Sequence, residues 1–230
     1  LIQNKPSQDQ VASVRDSYDD CVAHVDEYLG RMVDELERRG VLEHTWVIIT
    51  SDHGESFGEH PGIFCHGVTL YPSEMHVPLM FIPPRPGPSP ARVSGFVSLR
   101  DLPRTVVDVL DLEAGSEARS PFPGQSLARF WNGTPRSPHV VNRALSEVVP
   151  TGSFTRDPSE FLKASSSLAS LAEGDSTYIR KEKPVHEQLY DVSKDASEAN
   201  DLARVEAAQP LLEQMRLTAH DQLAVVAVAA

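Results

Sequence analysis

Apolar side chains recur at helical spacing near the start of the sequence, and this pattern restricts the possible fold more than any other feature. Between residues 11 and 39 they are separated by three or four positions, which aligns them on one face of an α-helix. They are Val11, Val14, Tyr18, Val22, Val25, Leu29, Met32 and Leu36. Gly40 follows two arginines, so the helix is predicted to end there, because glycine tolerates the left-handed conformation and cations suit the helix C-terminus.

The residues that follow this helix predict an α/β unit. Residues 46–50 (WVIIT) form an unbroken β-branched and aromatic run, typical of a strand buried in a parallel sheet, and 77–82 (VPLMFI) form a second one. In open α/β sheets, ligands bind beyond the C-terminal ends of the strands. The polar cluster that begins at Ser51 therefore lies where a binding site is expected.

Charge and composition exclude several classes of function. The net charge is -12 and the pI is near 5.1, so the chain repels nucleic-acid phosphates and anionic lipid surfaces. Two cysteines are too few for a disulfide framework or a Cys-rich zinc site. No apolar run reaches the roughly 20 residues of a membrane span. The first ten residues lack a signal-peptide pattern, and because residue 1 is Leu, we expect a preceding segment.

Side chains that suit a metal site follow the strand predicted at 46–50. Asp52 and His53 come first, and Gly54 permits the sharp turn that two adjacent ligands of one ion need. The alternative is structural, with Asp52 capping a helix and His53 on the surface. The residues alone leave a metal site, an acid-base site and this structural interpretation open. The loop beyond contains Glu55, Gly58, Glu59, His60, His66 and Gly67.

Longer segments occur in an order that is more specific than any one of them. The first is YDDCVAHVDEYLGRMVDELERRGVLEHTWVIITSDHGESFGEH, and CHGVTLYPSEMHVPLMF follows it. Next come VSLRDLPRTVVDVLDL, PGQSLARFWNG and TYIRKEKPVHEQLYDVSKDASEANDLA. Over most of residues 11–217 this series resembles the C-terminal half of sulfatases in the alkaline phosphatase superfamily. The last segment is similar to the family's C-terminal hairpin with the ending LYDL-x-x-D-x-x-E-x-x-NLA.

The resemblance implies roles for individual residues of the loop. Asp52 and His53 would be two ligands of a divalent metal ion. His66 would contact the transferred sulfuryl or phosphoryl group, where a histidine either stabilises charge on the equatorial oxygens or protonates the leaving oxygen. Metal-bound imidazoles usually donate their other N–H to an oxygen acceptor. The candidates for such supporting contacts, or for surface positions, are Glu55, Glu59 and His60.

Neither cysteine has the sequence context of a sulfatase nucleophile. In the family the nucleophile is a formylglycine made from Cys in C-x-P-x-R, or Ser or Thr in relatives, whereas Cys21 lies in the predicted helix and Cys65 precedes His-Gly. We therefore expect the nucleophile and further acidic ligands outside this chain, in an N-terminal half, and we expect the chain alone to be inactive. The resemblance implies Ca²⁺, although imidazole suits Mn²⁺ or Zn²⁺ better.

The function that the resemblance implies is metal-dependent hydrolysis of a small-molecule or carbohydrate sulfate ester by the complete protein. Phosphodiesterases, phosphonate hydrolases and phosphoethanolamine-type transferases of the superfamily share the Asp-His pair, and the identity of the nucleophile distinguishes them. An alternative of another class is a non-catalytic remnant of the fold. The sequence indicates neither the oligomeric state nor the compartment.

The predicted fold class is α/β, with part of a large mixed, mainly parallel sheet flanked by helices and a small C-terminal antiparallel sheet plus helix. Residues 1–140 are assigned to the C-terminal part of the sulfatase catalytic domain, and 141–230 to a small α+β subdomain. In the subdomain, alternating residues at 177–180 and 187–191 predict a hairpin. Apolar spacing beyond Glu198 predicts one or two closing helices, with Pro210 at a break or a start.

Overall fold

The computed structural model describes residues 6–60, 63–85, 87, 92–112, 122, 124–131, 142–148 and 167–229. Contacts between Cα atoms divide the chain into two compact units. The described residues up to Gly87 belong to the first unit, and the described residues from 92 onward belong to the second. The domain boundary expected after residue 140 stays a prediction. Within the described residues, no helix is long and apolar enough to cross a lipid bilayer.

The long N-terminal helix is confirmed. Helix α1 spans Gln8–Arg38 and begins with a capping box, in which Ser7 and Gln10 satisfy each other's backbone N–H groups. It ends where Gly40 adopts a left-handed φ of 70°, ahead of a short 3-10 helix at Val41–Glu43. None of its residues is buried, and most of its apolar face is exposed to solvent. The periodicity therefore predicted the helix correctly, although not its burial within this chain.

A two-stranded sheet follows α1 in the first unit. Strand β1 (Val47–Thr50) pairs with β2 (Leu79–Ile82), and helix α2 (Pro72–Met75) lies between them in the chain. The pairing is antiparallel, with Val47 opposite Ile82. Both strands occur where they were predicted, but they are only partly buried, and within the described residues each pairs with a single neighbour. The large, mainly parallel sheet stays a prediction.

The second unit begins with short helices packed on one another. A 3-10 turn at Leu99–Asp101 leads into α3 (Leu102–Val109), and another 3-10 turn spans Leu127–Phe130. The buried hydroxyl of Thr105 joins these elements, since it donates to the Asp101 carbonyl at 2.6 Å and accepts from the Leu127 N–H at 2.9 Å. Asp101 is the residue before α3, and its side chain does not cap the helix.

A four-stranded antiparallel sheet completes the second unit. Its strands, in both chain and spatial order, are β3 (Arg143–Val148), β4 (Leu168–Glu173), β5 (Ser176–Glu182) and β6 (Val185–Asp191). The hairpin predicted from alternation is the β5–β6 pair. A 3-10 turn at Glu206–Ala208 precedes helix α4 (Gln209–Ala229), which starts beside Pro210. The core between sheet and helix consists of Leu171, Tyr178, Leu189, Leu212, Met215 and Ala219.

Candidate metal and catalytic site

The loop after β1 presents an oxygen ligand and a nitrogen ligand side by side. Asp52 is 88% exposed, and its Oδ1 accepts the His53 backbone N–H at 3.0 Å. The other oxygen, Oδ2, lies 3.8 Å from His53 Nε2. His53 Nδ1 donates to the Gly54 carbonyl at 2.8 Å, which leaves Nε2 for another partner. The tip of this loop therefore offers one carboxylate oxygen and one imidazole nitrogen.

The hydrogen bond to the Gly54 carbonyl is also the main reason that the pKa of His53 is raised above its ordinary value of 6.5. The neighbouring carboxylates of Asp52 and Glu55 act in the same direction, because they favour the imidazolium, and burial opposes them. The surroundings of His53 are thus electronegative. Such an environment attracts a cation, whether a proton or a metal ion.

The structure brings His66 to the same place from a separate part of the loop. Its ring stacks on that of His53, with 4.1 Å between the centroids and 22° between the planes. His66 Nδ1 donates to Glu55 Oε2 at 2.7 Å. Of the six residues predicted to belong to the site, Asp52, His53, Glu55 and His66 thus form one connected group.

This donor set fits part of a divalent-cation site. A carboxylate oxygen and an imidazole nitrogen bind Mn²⁺ and Zn²⁺ readily, whereas Ca²⁺ prefers oxygen throughout. The fixed Nδ1 of His53 also matches the pattern in which a ligating histidine donates its other N–H to an oxygen. Across the described parts of the chain, no three His, Cys, Asp or Glu residues cluster closely enough to hold a metal. A complete coordination shell thus needs ligands beyond those described.

Glu59 and His60 make different contacts from the other four predicted residues. Glu59 accepts from the Phe57 backbone N–H and from Arg15 Nη2, both at 2.7 Å, so it ties the loop to α1. The His60 ring stacks on Tyr71, with 3.5 Å between the centroids. These contacts support a structural role in the loop, and a supporting contact of either residue with a metal ligand stays a prediction.

Glu74 in α2 is the functional candidate that the sequence analysis missed. Its side chain is fully buried, and it accepts hydrogen bonds from the backbone of Gly67 and from the Ser56 hydroxyl. One feature of the sequence points to it. Glu74 lies close to Tyr71 and Met75 and just before an apolar strand, and a carboxylate that is buried among such residues needs hydrogen-bond partners. The identity of those partners depends on loop closure, so a local pattern does not reveal them.

Both cysteines are free thiols in exposed residues. Partial burial of the sulfur is the main reason that the pKa of Cys65 is raised, and the carboxylates of Glu74 and Glu55 add to the effect. Since the thiolate is the nucleophilic form of cysteine, a raised pKa makes Cys65 a poor nucleophile. The expectation that the nucleophile lies outside this chain stays a prediction.

The fold is that of part of the solved structures of sulfatases and phosphonate monoester hydrolases. The chain superimposes on phosphonate monoester hydrolase from Silicibacter pomeroyi with a TM-score of 0.76, covering 94% of this chain and 42% of that structure at 22% identity. At this identity the likeness establishes the fold.

Sequence comparison then shows similarity to sulfatases. The sulfatase family profile matches residues 3–112. Arylsulfatase K from Xenopus laevis is 28% identical over 205 residues, which cover 86% of this chain and 35% of the relative. Choline-sulfatase from Rhizobium meliloti is 27% identical over 213 residues, which cover 93% of this chain and 37% of the relative. The chain is therefore similar to the sulfatase family over residues 3–112, and it spans about a third of the length of these relatives.

Proposed function

We propose that the complete protein hydrolyses sulfate esters, with Asp52 and His53 as two ligands of a divalent metal ion and His66 as a residue that contacts the reacting group. The observation that carries the proposal is the group formed by Asp52, His53, Glu55 and His66 in a chain similar to the sulfatase family. The nucleophile, expected to be a formylglycine, lies outside this chain.

Asp52 and His53 are suited to hold the metal because each has a free donor atom at the loop tip. When bound, a divalent ion supplies positive charge that stabilises ester oxygens and the attacking group. The protein's own contribution is to fix the ligands. The Gly54 carbonyl holds His53 Nδ1, so the ring presents Nε2 and rotates little.

His66 is suited to proton transfer or to charge stabilisation. Because Nδ1 donates to Glu55, a neutral His66 ring carries its lone pair on Nε2. A protonated ring, in contrast, donates from Nε2 to a leaving oxygen or to an equatorial oxygen of the transferred group. In both cases the Nδ1–H group donates to the Glu55 carboxylate, so one hydrogen bond orients the ring for both steps of an acid-base cycle.

Sulfate esters are the first choice of substrate because the sequence relatives are named for sulfate ester hydrolysis. These names cover an arylsulfatase and a choline-sulfatase, so both aromatic and small cationic leaving groups occur among the relatives. Small-molecule and carbohydrate sulfate esters are the proposed class for this protein. Hydrolysis of phosphonate monoesters or phosphodiesters is the second candidate, favoured by the structural likeness to a phosphonate monoester hydrolase.

The test uses the complete gene product, purified and analysed for metal content and for hydrolysis of an aryl sulfate and an aryl phosphonate monoester. Asp52→Ala is expected to lose bound metal and activity together. His66→Ala is expected to retain the metal and to turn over more slowly. Unchanged metal content in Asp52→Ala would refute the ligand assignment, and an unchanged rate in His66→Ala would refute its role.

Two substitutions serve as matched controls. Asp20 lies exposed on α1, and His220 lies exposed on α4, so Asp20→Ala and His220→Ala remove the same types of side chain at positions outside the loop sequence. Both are expected to leave metal content and rate unchanged. Faster hydrolysis of the phosphonate than of the sulfate ester would favour the second candidate. A wild-type protein with neither activity nor metal would support the non-catalytic alternative.

A further inference from the structure

Glu74 is the most extensively hydrogen-bonded carboxylate of the loop region, and it is completely buried at the end of α2. Its Oε2 accepts the Gly67 N–H at 2.7 Å and, at 3.4 Å, the N–H groups of Val68 and Thr69. Its Oε1 accepts from the Thr69 hydroxyl and, at 3.3 Å, from the Ser56 hydroxyl. Three consecutive backbone donors thus converge on one oxygen.

The backbone of Glu74 makes a further contact with the first loop. Its carbonyl accepts the Gly54 N–H at 2.7 Å. A Cβ atom on Gly54 would lie only 2.1 Å from the neighbouring Ser73 carbonyl oxygen, so the two chain segments are in direct contact. Ser73 adds a hydrogen bond of 2.8 Å between its hydroxyl and that of Ser56. The segment around Glu74 is therefore packed against the loop after β1.

Three of the partners of Glu74 are chain neighbours of site residues. Gly54 follows His53, Ser56 follows Glu55, and Gly67 follows His66. Glu74 consequently makes a hydrogen bond to the residue that follows each of His53, Glu55 and His66. No regular secondary structure positions these residues, because residues 51–60 and 63–71 contain neither helix nor strand.

We propose that Glu74 is a positioning residue that sets the relative placement of His53, Glu55 and His66. The inference rests on the proposed function of those residues. Glu74 itself is buried, so it acts through the loop and not by touching substrate. Its carboxylate suits the task because it accepts several hydrogen bonds at once, and charge-assisted bonds to backbone N–H groups are stronger than neutral ones.

The hydrogen-bond partners of Glu74 allow one variant that removes its charge and keeps the hydrogen bonds, and another that removes both. The Ser56 and Thr69 hydroxyls that face Oε1 are able to accept as well as donate. Glu74→Gln therefore places its amide nitrogen towards the two hydroxyls and its oxygen towards the backbone N–H groups, which keeps the loop closed. Glu74→Met has similar length and no acceptor oxygen, so the N–H groups of residues 67–69 lose their partner.

The experiment measures kcat and KM of the complete gene product on an aryl sulfate, together with amide hydrogen exchange at residues 67–69. Glu74→Met is expected to lower kcat about 100-fold with KM changed less than about threefold, since the reacting groups are misplaced by about an ångström. Exchange at Gly67 and Thr69 is expected to accelerate. Glu74→Gln is expected to rescue kcat to within about tenfold of wild type and to keep the exchange slow.

Two further variants keep the test decisive if Glu74→Met does not fold. Ser56→Ala and Thr69→Val each remove one hydroxyl donor to Oε1 while leaving the backbone bonds in place. Each is expected to lower kcat relative to wild type, and the double variant is expected to lower it more than either alone. Glu37→Met, on the exposed surface of α1, is the matched control and is expected to change neither kcat nor exchange.

The positioning role is overturned if a folded Glu74→Met retains wild-type kcat, or if exchange at residues 67–69 does not change. It is also overturned if Glu74→Gln loses as much kcat as Glu74→Met. If the wild-type protein hydrolyses no sulfate ester, the proposed function fails. The exchange measurement then decides separately whether Glu74 holds the loop.

Discussion

The imidazole rings of His53 and His66 are stacked, with their centroids 4.1 Å apart, although 12 residues separate them in the chain. Each ring uses Nδ1 in a hydrogen bond to its own surroundings, His53 to the Gly54 carbonyl and His66 to the Glu55 carboxylate. Both Nε2 atoms are therefore left for other partners. This arrangement allows His53 to bind a metal ion while His66 contacts the reacting group.

Replacement of Glu55 by Gln is expected to slow turnover of the complete gene product about tenfold, because the amide oxygen still accepts from His66 Nδ1 without a compensating negative charge. Glu55→Ala is expected to slow it further, since the ring is then free to rotate. Steady-state kinetics on an aryl sulfate provide the measurement. Glu43→Gln, on an exposed 3-10 turn, is the control, and equal rates for wild type and Glu55→Gln would contradict the role of this carboxylate.

The sequence predicts those site residues that lie next to each other in the chain and close to a strand. Asp52 and His53 follow directly after β1, so a strand pattern and its polar end were sufficient to find them. The contact between Glu55 and His66 joins positions 11 apart, and the resemblance to sulfatases, not a periodic pattern, singled out His66. Glu74 was missed because its partners converge only when the loop closes.

The same distinction applies to the fold. Helix α1 and the β5–β6 hairpin were predicted because their patterns are contained in short segments. Strands β3 and β4 were missed, since RALSEV and LASLAE contain Ala, Ser and Glu, which are not strong strand formers, and their mutual pairing spans residues 143–173. Sheet pairing of that kind depends on packing against distant neighbours, and single-segment propensity carries little information about it.

Gly54→Ala is expected to destabilise the protein by about 1–3 kcal/mol, because the added Cβ would lie 2.1 Å from the Ser73 carbonyl oxygen and the two segments would have to separate. Gly30→Ala is the matched control. Gly30 lies inside α1 with no atom within 4 Å of an added Cβ, so this substitution is expected to stabilise by about 0.5–1 kcal/mol. Urea unfolding measures both, and equal midpoints for the two variants would contradict the close approach.

Arg216→Ala is expected to destabilise the second unit by about 2 kcal/mol, because Arg216 on α4 makes two hydrogen bonds, of 2.7 and 2.8 Å, to the Glu187 carboxylate on β6. This pairing is also the main reason that the pKa of Glu187 is lowered. Arg216→Lys is expected to recover only part of the loss, since an ammonium group does not reproduce the paired geometry.

Thermal or urea unfolding tests the Arg216 variants against Arg204→Ala. Arg204 is exposed in the same unit, and its removal is expected to change the free energy of unfolding by less than about 0.5 kcal/mol. Equal stability of Arg216→Ala and Arg204→Ala would show that the α4–β6 ion pair contributes nothing measurable.

Glu198 is expected to make the stability of the second unit depend on pH. The residue is only 1% exposed, and burial is the main reason that its pKa is raised from the ordinary 4.5 to about 7, with the Asp195 carboxylate adding to the effect and the Thr177 hydroxyl opposing it. The folded protein therefore keeps a proton that the unfolded chain releases near pH 4.5. The contribution of Glu198 to the free energy of unfolding is therefore greatest below pH 4.5, and it falls by about 3 kcal/mol at most as the pH rises to 7.

Glu198→Gln removes this titration while keeping the shape of the side chain. The measured quantity is the difference in unfolding free energy between wild type and Glu198→Gln, obtained from urea unfolding at pH 5 and pH 8. Other titrating groups contribute equally to both proteins, so wild type is expected to lose stability relative to the variant as the pH rises. Glu206→Gln, on the exposed 3-10 turn before α4, is the control and is expected to show a constant difference. A constant difference for Glu198→Gln as well would mean that Glu198 titrates alike in the folded and unfolded chains.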